Sequence, residues 1–122
     1  MRIQPPKVFV TQSPGKGFGV FAAKNFVEGE VIERCYCIEV TKPVKGNLIN
    51  YAFNYPPGTN ETKQVLPLGY GCIYNHSENN NAFWIKTPDH EMHFDFVAKR
   101  DIKIGEEICT YYGKNYFKYR KI

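Results

Sequence analysis

Long apolar stretches are missing from this chain: its hydrophobic runs are a few residues each, so nothing in it spans a bilayer as a helix. The first residues, Met1-Arg2-Ile3-Gln4-Pro5-Pro6, lack the apolar run of a secretion signal, which points to an intracellular protein that is not secreted. Histidine is scarce, with three in 122 residues. The four cysteines (Cys35, Cys37, Cys72 and Cys109) form no Cys-x-x-Cys pair, and no histidine follows them at zinc-finger spacing. No metal is therefore expected, and the thiols read as buried groups in a reducing compartment. Helix signals are also poor. Ten glycines and eight prolines cut the chain into short pieces. There is no basic block: 16 Lys and Arg against 12 Asp and Glu leave a net charge of +4, a weak bias towards acidic partners.

Aromatic side chains are abundant, with nine Tyr, nine Phe and one Trp, more than a core of this size needs, so some are expected at a site. A hydrophobic share of 43% excludes a disordered chain, and the length suits one domain, 1–122, with no linker. Runs rich in Val, Ile, Phe, Tyr and Thr predict strands at Lys7–Val10, Phe18–Ala22, Val31–Val40, Ala82–Lys86, His93–Ala98 and Glu107–Tyr112. Short helical turns are expected around Asn47–Phe53 and Lys114–Tyr119, and loops at Tyr55–Lys63 and Glu78–Asn81. In the Val31–Val40 run one parity carries Ile32, Tyr36, Ile38 and Val40, the expected core face; Phe94, Phe96 and Ala98 play that part later. The segment from Ala23 to Ile32 echoes that from Ala98 to Ile108, after one inserted residue. The fold class is mainly β.

Four segments carry polar or glycine chemistry. Gly17-Phe18-Gly19 lets main chain pass close to a ligand. Asn75-His76-Ser77, after the apolar run Gly71-Cys72-Ile73-Tyr74, offers amide, imidazole and hydroxyl groups. Gly105-Glu106-Glu107 leads through Thr110 to Tyr111-Tyr112-Gly113, and an aromatic tail of Tyr116, Phe117 and Tyr119 follows. Taken singly, each also reads as structural.

In this order the segments resemble the SET domain, the fold of protein-lysine methyltransferases that use S-adenosylmethionine. The resemblance runs from Lys7 to the aromatic tail, includes Asn81 and Leu68-Gly69-Tyr70-Gly71, and in its brevity is similar to the stand-alone SET proteins of large DNA viruses. It implies small curved sheets of β-clip type, with the C-terminal segment threaded as a pseudoknot. It implies that Lys16, Gly17, Phe18, Gly19, Asn75 and His76 hold the cofactor, with Tyr116 or Phe117 stacked on its adenine. Tyr112 matches the catalytic tyrosine and also helps hold the cofactor. Tyr51, Trp84, Thr110 and Tyr112 match the substrate lysine channel, although Trp84 reads equally as core. Many relatives carry a Phe where this chain has Thr110, which leaves the number of methyl groups open. No cysteine follows Cys109, so the three-cysteine zinc segment of many relatives is not expected, and the tail or a second protomer would complete the channel.

The implied partners are a histone tail (histone H3 first) or another basic protein, with nucleic acid met only through nucleosomes, no membrane, and a homodimer; the implied compartment is the nucleus. Glu28, Glu30, Glu33, Glu39, Asn54, Glu61 and Glu78 are candidates for contacts with a basic peptide, though each reads more readily as solvated surface. Two alternatives remain: a SET fold that binds without transferring, and a small basic β domain that stacks on single-stranded nucleic acid.

Overall fold

In the computed structural model, residues 5–40, 51–55 and 63–112 are described; for Asn54 and Lys63 this covers the backbone alone. The expected turns at Lys114–Tyr119 and most of that at Asn47–Phe53 lie outside this range, as do Tyr116 and Phe117. Nine strands occur among the described residues, and no helix: β1 (Val8–Ser13), β2 (Gly17–Ala22), β3 (Val31–Val40), β4 (Phe53–Tyr55), β5 (Lys63–Pro67), β6 (Asn75–His76), β7 (Ala82–Lys86), β8 (His93–Ala98) and β9 (Glu107–Thr110). They form a four-stranded sheet in the order β1-β2-β9-β6 and a five-stranded sheet in the order β4-β5-β3-β8-β7. All named pairings are antiparallel except that of β6 with β9.

The core lies between the sheets, built from Val8, Val20, Phe26, Ile32, Cys35, Cys37, Tyr74, Phe94, Phe96, Ile102 and Ile108. Phe94, Phe96 and Ala98 face it as the alternation predicts. On β3 the prediction fails beyond Ile32. The pairing with β8 slips between Val31 and Glu33, and this bulge exchanges the faces of every later residue. Cys35 and Cys37 are therefore buried, while Tyr36 is 55% and Ile38 42% exposed. The buried thiol of Cys37 and the half-buried thiol of Cys72 are pushed up to about 12 and about 11 by desolvation, with Cys37 also near Cys72. Both stay protonated at neutral pH, unsuited to nucleophilic work.

The internal echo is real, but it needs no inserted residue: Ala22 to Glu30 matches Ala98 to Glu106 in role. Phe26 and Ile102 exchange backbone hydrogen bonds at 2.8 and 2.9 Å, at the centre of the arrangement. Gly29 N–H donates to Ala98 O and Gly105 N–H to Ala22 O, both at 2.8 Å. Both glycines take left-handed conformations, with φ of 87° and 90°, which a Cβ would disfavour. Glu30 accepts from Val27 N–H and Glu106 from Lys103 N–H, and each carboxylate also meets a cation, Lys24 and Arg100 respectively. Asp101 accepts from Glu28 N–H and Asn25 from Ile104 N–H. The pair of turns joins the sheets, because Ala22 N–H bonds Glu106 O beside β9 while Ala98 N–H bonds Glu30 O beside β3.

An ion pair with a buried carboxylate braces the second sheet. Asp95, 3% exposed on β8, accepts from Arg34 Nε at 2.7 Å, from the second Arg34 nitrogen at 3.2 Å, and from Thr87 Oγ1 at 2.8 Å. Burial alone would raise this carboxyl, but the bonds from Arg34 and Thr87 outweigh it and hold Asp95 below the usual carboxylate range. A group lowered on folding stabilises above its unfolded value and loses that contribution as the pH falls through its folded value. Asp95→Asn should lower the thermal midpoint at pH 7, and the gap to the parent chain should close as the pH falls below about 4. A gap independent of pH down to acid unfolding would contradict this.

Candidate active site

The site grows from the two-residue β6. It lies parallel to β9 with Asn75 opposite Cys109 and His76 opposite Thr110. So short a ladder holds little by itself, and side chains stitch it in place. Asn81, 3% exposed, accepts from Cys109 N–H at 2.8 Å and donates to Glu107 O at 2.8 Å, so its amide pairs with β9 as a strand would. Ser77 N–H donates to Thr110 O at 2.9 Å. Asn75 Nδ2 donates to Phe18 O at 3.1 Å and to the Glu107 carboxylate at 2.8 Å, tying β6 to β2 and β9. His76 Nδ1 accepts the backbone N–H of Tyr112 at 3.0 Å, so in the neutral ring Nε2 carries the proton, 3.6 Å from the exposed Glu78 carboxylate.

These contacts set where the chain goes after β9. Tyr112 has its backbone pinned by His76 and its phenol donating to the carbonyl oxygen of Tyr74, immediately before β6. The Tyr74 ring is buried and stacked on Phe96, with centroids 4.5 Å apart. Its hydroxyl donates to Glu33 Oε1 at 2.7 Å, and the other Glu33 oxygen accepts from Tyr70 N–H at 2.9 Å. Burial, reinforced by the Glu33 charge, raises the Tyr74 phenol far above its ordinary value, so it stays protonated. Glu33 and Glu30, candidates by sequence for a substrate groove, thus face partners within the fold.

Three of the segments converge. The Gly17-Phe18-Gly19 strand reaches Asn75 through the Phe18 carbonyl, and Asn75 and His76 reach β9 and Tyr112. Phe18 is 64% exposed beside them. Gly19 is buried, and a Cβ there would fall 2.3 Å from Glu107 Oε2 and 2.9 Å from Asn75 Nδ2. Its lack of a side chain makes room for this polar network. Lys16 is exposed in the β1–β2 turn. Thr110 is buried on β9. Tyr51 is 49% exposed, and its carbonyl accepts from the Cys72 thiol at 3.6 Å. Trp84 packs edge-on against Phe53 at 4.8 Å and lies 5.2 Å from Phe94, in an aromatic cluster against the core.

Sequence reading places Glu107 in the Gly105-Glu106-Glu107 motif without a role of its own, and does not single out Ser13. Ser13 Oγ donates to Glu107 Oε1 at 2.8 Å, completing the network behind Asn75. A signal is nonetheless present: a carboxylate at the head of the apolar strand Glu107-Ile108-Cys109 needs partners if it is to be buried. Among the described residues no three His, Cys, Asp or Glu side chains are grouped to hold a metal ion. No helix among them is long and apolar enough to cross a membrane.

Comparison with known proteins now bears on this arrangement. The family model described as SET domain matches residues 17–113, and the chain belongs to the SET-domain family. Within it, the chain is a protein-lysine methyltransferase. It is 31% identical over 106 residues to a Schizosaccharomyces pombe histone-lysine N-methyltransferase described as specific for H3 lysine-37, covering 80% of this chain and 67% of that protein. The crystal structure of a candidate histone methyltransferase from Plasmodium falciparum superposes with a TM-score of 0.74 at 27% identity, over 93% of this chain and 99% of that one.

Gly19→Ala should destabilise the fold by about 1–3 kcal/mol, because the added methyl overpacks a network fixed by hydrogen bonds. In a Glu107→Ala background the same change should cost clearly less, read by denaturant unfolding of all four proteins. Equal penalties in both backgrounds would show that the clash is not the cause.

Proposed function

We propose that the chain transfers a methyl group from S-adenosylmethionine to a lysine side chain of a histone tail, histone H3 first among them, and that it works in the nucleus. The observation that carries this reading is the convergence of the Asn75 amide, the strand Gly17–Gly19 and the Tyr112 phenol around the β6–β9 pairing.

The residues present fit such a cofactor. Both neighbours of the Asn75 nitrogen, the Phe18 carbonyl and the Glu107 carboxylate, are pure acceptors. The Asn75 oxygen is thereby left as the acceptor for an α-ammonium, and the Glu107 charge lies close behind it. Lys16, Gly17, Phe18 and Gly19 are assigned to the amino-acid part, Asn75 and His76 to the amino-acid and adenine ends, and Tyr116 or Phe117 to stacking on the adenine. When bound, the cofactor supplies a methyl group on a positively charged sulfur, open to attack by a neutral amine.

A lysine ammonium in water loses its proton only near pH ~10.4, and until then it has no free electron pair. A dry aromatic channel disfavours the charged form. Tyr51, Trp84, Thr110 and Tyr112 are assigned to that channel. The Tyr112 hydroxyl, held between its own backbone anchor at His76 and the Tyr74 carbonyl, is assigned to orienting the neutral amine, so the acceleration comes chiefly from positioning. The Tyr74 carbonyl adds an acceptor beside the phenol, suited to weak C–H···O contacts with a polarised methyl. Residues 17–113 are proposed to act as the SET domain, with the lysine channel completed by the C-terminal tail or by a second protomer of a homodimer; a monomer by light scattering with cofactor present would overturn the homodimer.

Incubation with histones and S-adenosylmethionine, followed by mass spectrometry, should show added methyl groups on lysine. Tyr112→Phe should lower turnover about 100-fold or more while cofactor affinity stays within a few-fold. Transfer undiminished in the variant would remove the phenol from the mechanism. Absence of transfer to every histone by the parent chain would overturn the substrate assignment.

A further inference from the structure

Glu107 enters the reading above only as an acceptor behind Asn75, yet it is the hub of the polar network behind the glycine strand. It joins three strands: Ser13 Oγ from β1 donates to Oε1 at 2.8 Å, Asn75 Nδ2 from β6 donates to Oε2 at 2.8 Å, and its own backbone belongs to β9. The close approach of Gly19 on β2 walls the carboxylate in from a fourth side. A half-buried carboxylate kept in so tight a space, with two donors aimed at separate oxygens, is oriented rather than mobile.

The consequence falls on Asn75. A primary amide has a donor end and an acceptor end of nearly equal size, and only its neighbours decide which way it points. Phe18 O alone makes one contact with the nitrogen, at 3.1 Å; the shorter bond, at 2.8 Å, is to Glu107 and is charge-assisted. We infer that Glu107 is a positioning residue that fixes the Asn75 amide with its oxygen available to the ligand, and so selects for a ligand bearing an α-ammonium. The inference rests on the assignment of Asn75 to the amino-acid end of the cofactor. A glutamine at position 107 keeps the shape but removes the charge and offers a donor as well as acceptors, so the amide is free to turn its nitrogen outward, where it would repel an ammonium.

Two ligands separate the idea from a general loosening of the site. S-adenosylhomocysteine carries the α-ammonium and carboxylate; 5′-methylthioadenosine carries the same nucleoside and thioether without them. Calorimetric titration of the parent chain should give tighter binding of S-adenosylhomocysteine. Glu107→Gln should weaken S-adenosylhomocysteine by about tenfold and leave 5′-methylthioadenosine within about twofold, in line with loss of one charge-assisted hydrogen bond. Ser13→Ala, which leaves the Asn75 contact intact, should shift the ratio of the two affinities less. Equal weakening of both ligands, or an unchanged ratio, would overturn the role of Glu107. A parent chain that does not distinguish the two ligands would instead overturn the assignment of Asn75, and the inference with it.

Discussion

Parallel strands pair only when a connection brings the chain back around, and here β6 and β9 are joined through the whole β7–β8 hairpin. Their contact spans two residue pairs, too few for a ladder to stand alone. What holds it is an unusual density of side chain to backbone bonds: Asn81 to Glu107 and Cys109, Asn75 to Phe18, and His76 to Tyr112. The same amide and imidazole groups that fasten the strands also point the chain towards its phenol. Structure and chemistry therefore rely on one set of hydrogen bonds.

The remainder of the molecule serves to keep that seam in place. Two matching turns, meeting at Phe26 and Ile102, clamp the four-stranded sheet to the five-stranded one. The repetition is physical as well as sequential, since each turn uses a left-handed glycine, a carboxylate that accepts from the residue three before it, and a cation beside that carboxylate. From the second sheet, Glu33 reaches the hydroxyl of Tyr74, whose carbonyl receives the Tyr112 phenol. A shift between the sheets would be felt at Tyr112 through this path.

Much of this is legible in the residues. The long strands follow from runs of β-branched and aromatic side chains, and Phe94, Phe96 and Ala98 face the core as their alternation requires. The face of β3 is not, because a bulge between Val31 and Glu33 leaves no mark in the hydrophobic pattern, and Tyr36 and Ile38 suit either face. β5 begins where the sequence suggests a loop, and the residues of β6, which look like the end of an apolar strand, pair with a segment more than thirty positions away. Pairings of that range depend on the whole topology. The echo of the two turns is visible in sequence, but its alignment is fixed only by the bonds between Phe26 and Ile102. Within the site, Gly17–Gly19, Asn75, His76 and Tyr112 stand out as motifs, whereas Glu107 and Ser13 become readable only once burial shows that the carboxylate needs partners.

The β6–β9 seam builds a cofactor site and presents a phenol to it at once, and on this the proposed chemistry turns. A crystal structure of the chain soaked with S-adenosylhomocysteine tests it most directly. The expected result is the ligand's α-ammonium within hydrogen-bond distance of Asn75 Oδ1, its main-chain neighbours drawn from Lys16 to Gly19, and its sulfur facing the Tyr112 hydroxyl. A ligand seated elsewhere, or seated there with the Asn75 nitrogen turned towards it, would contradict the account.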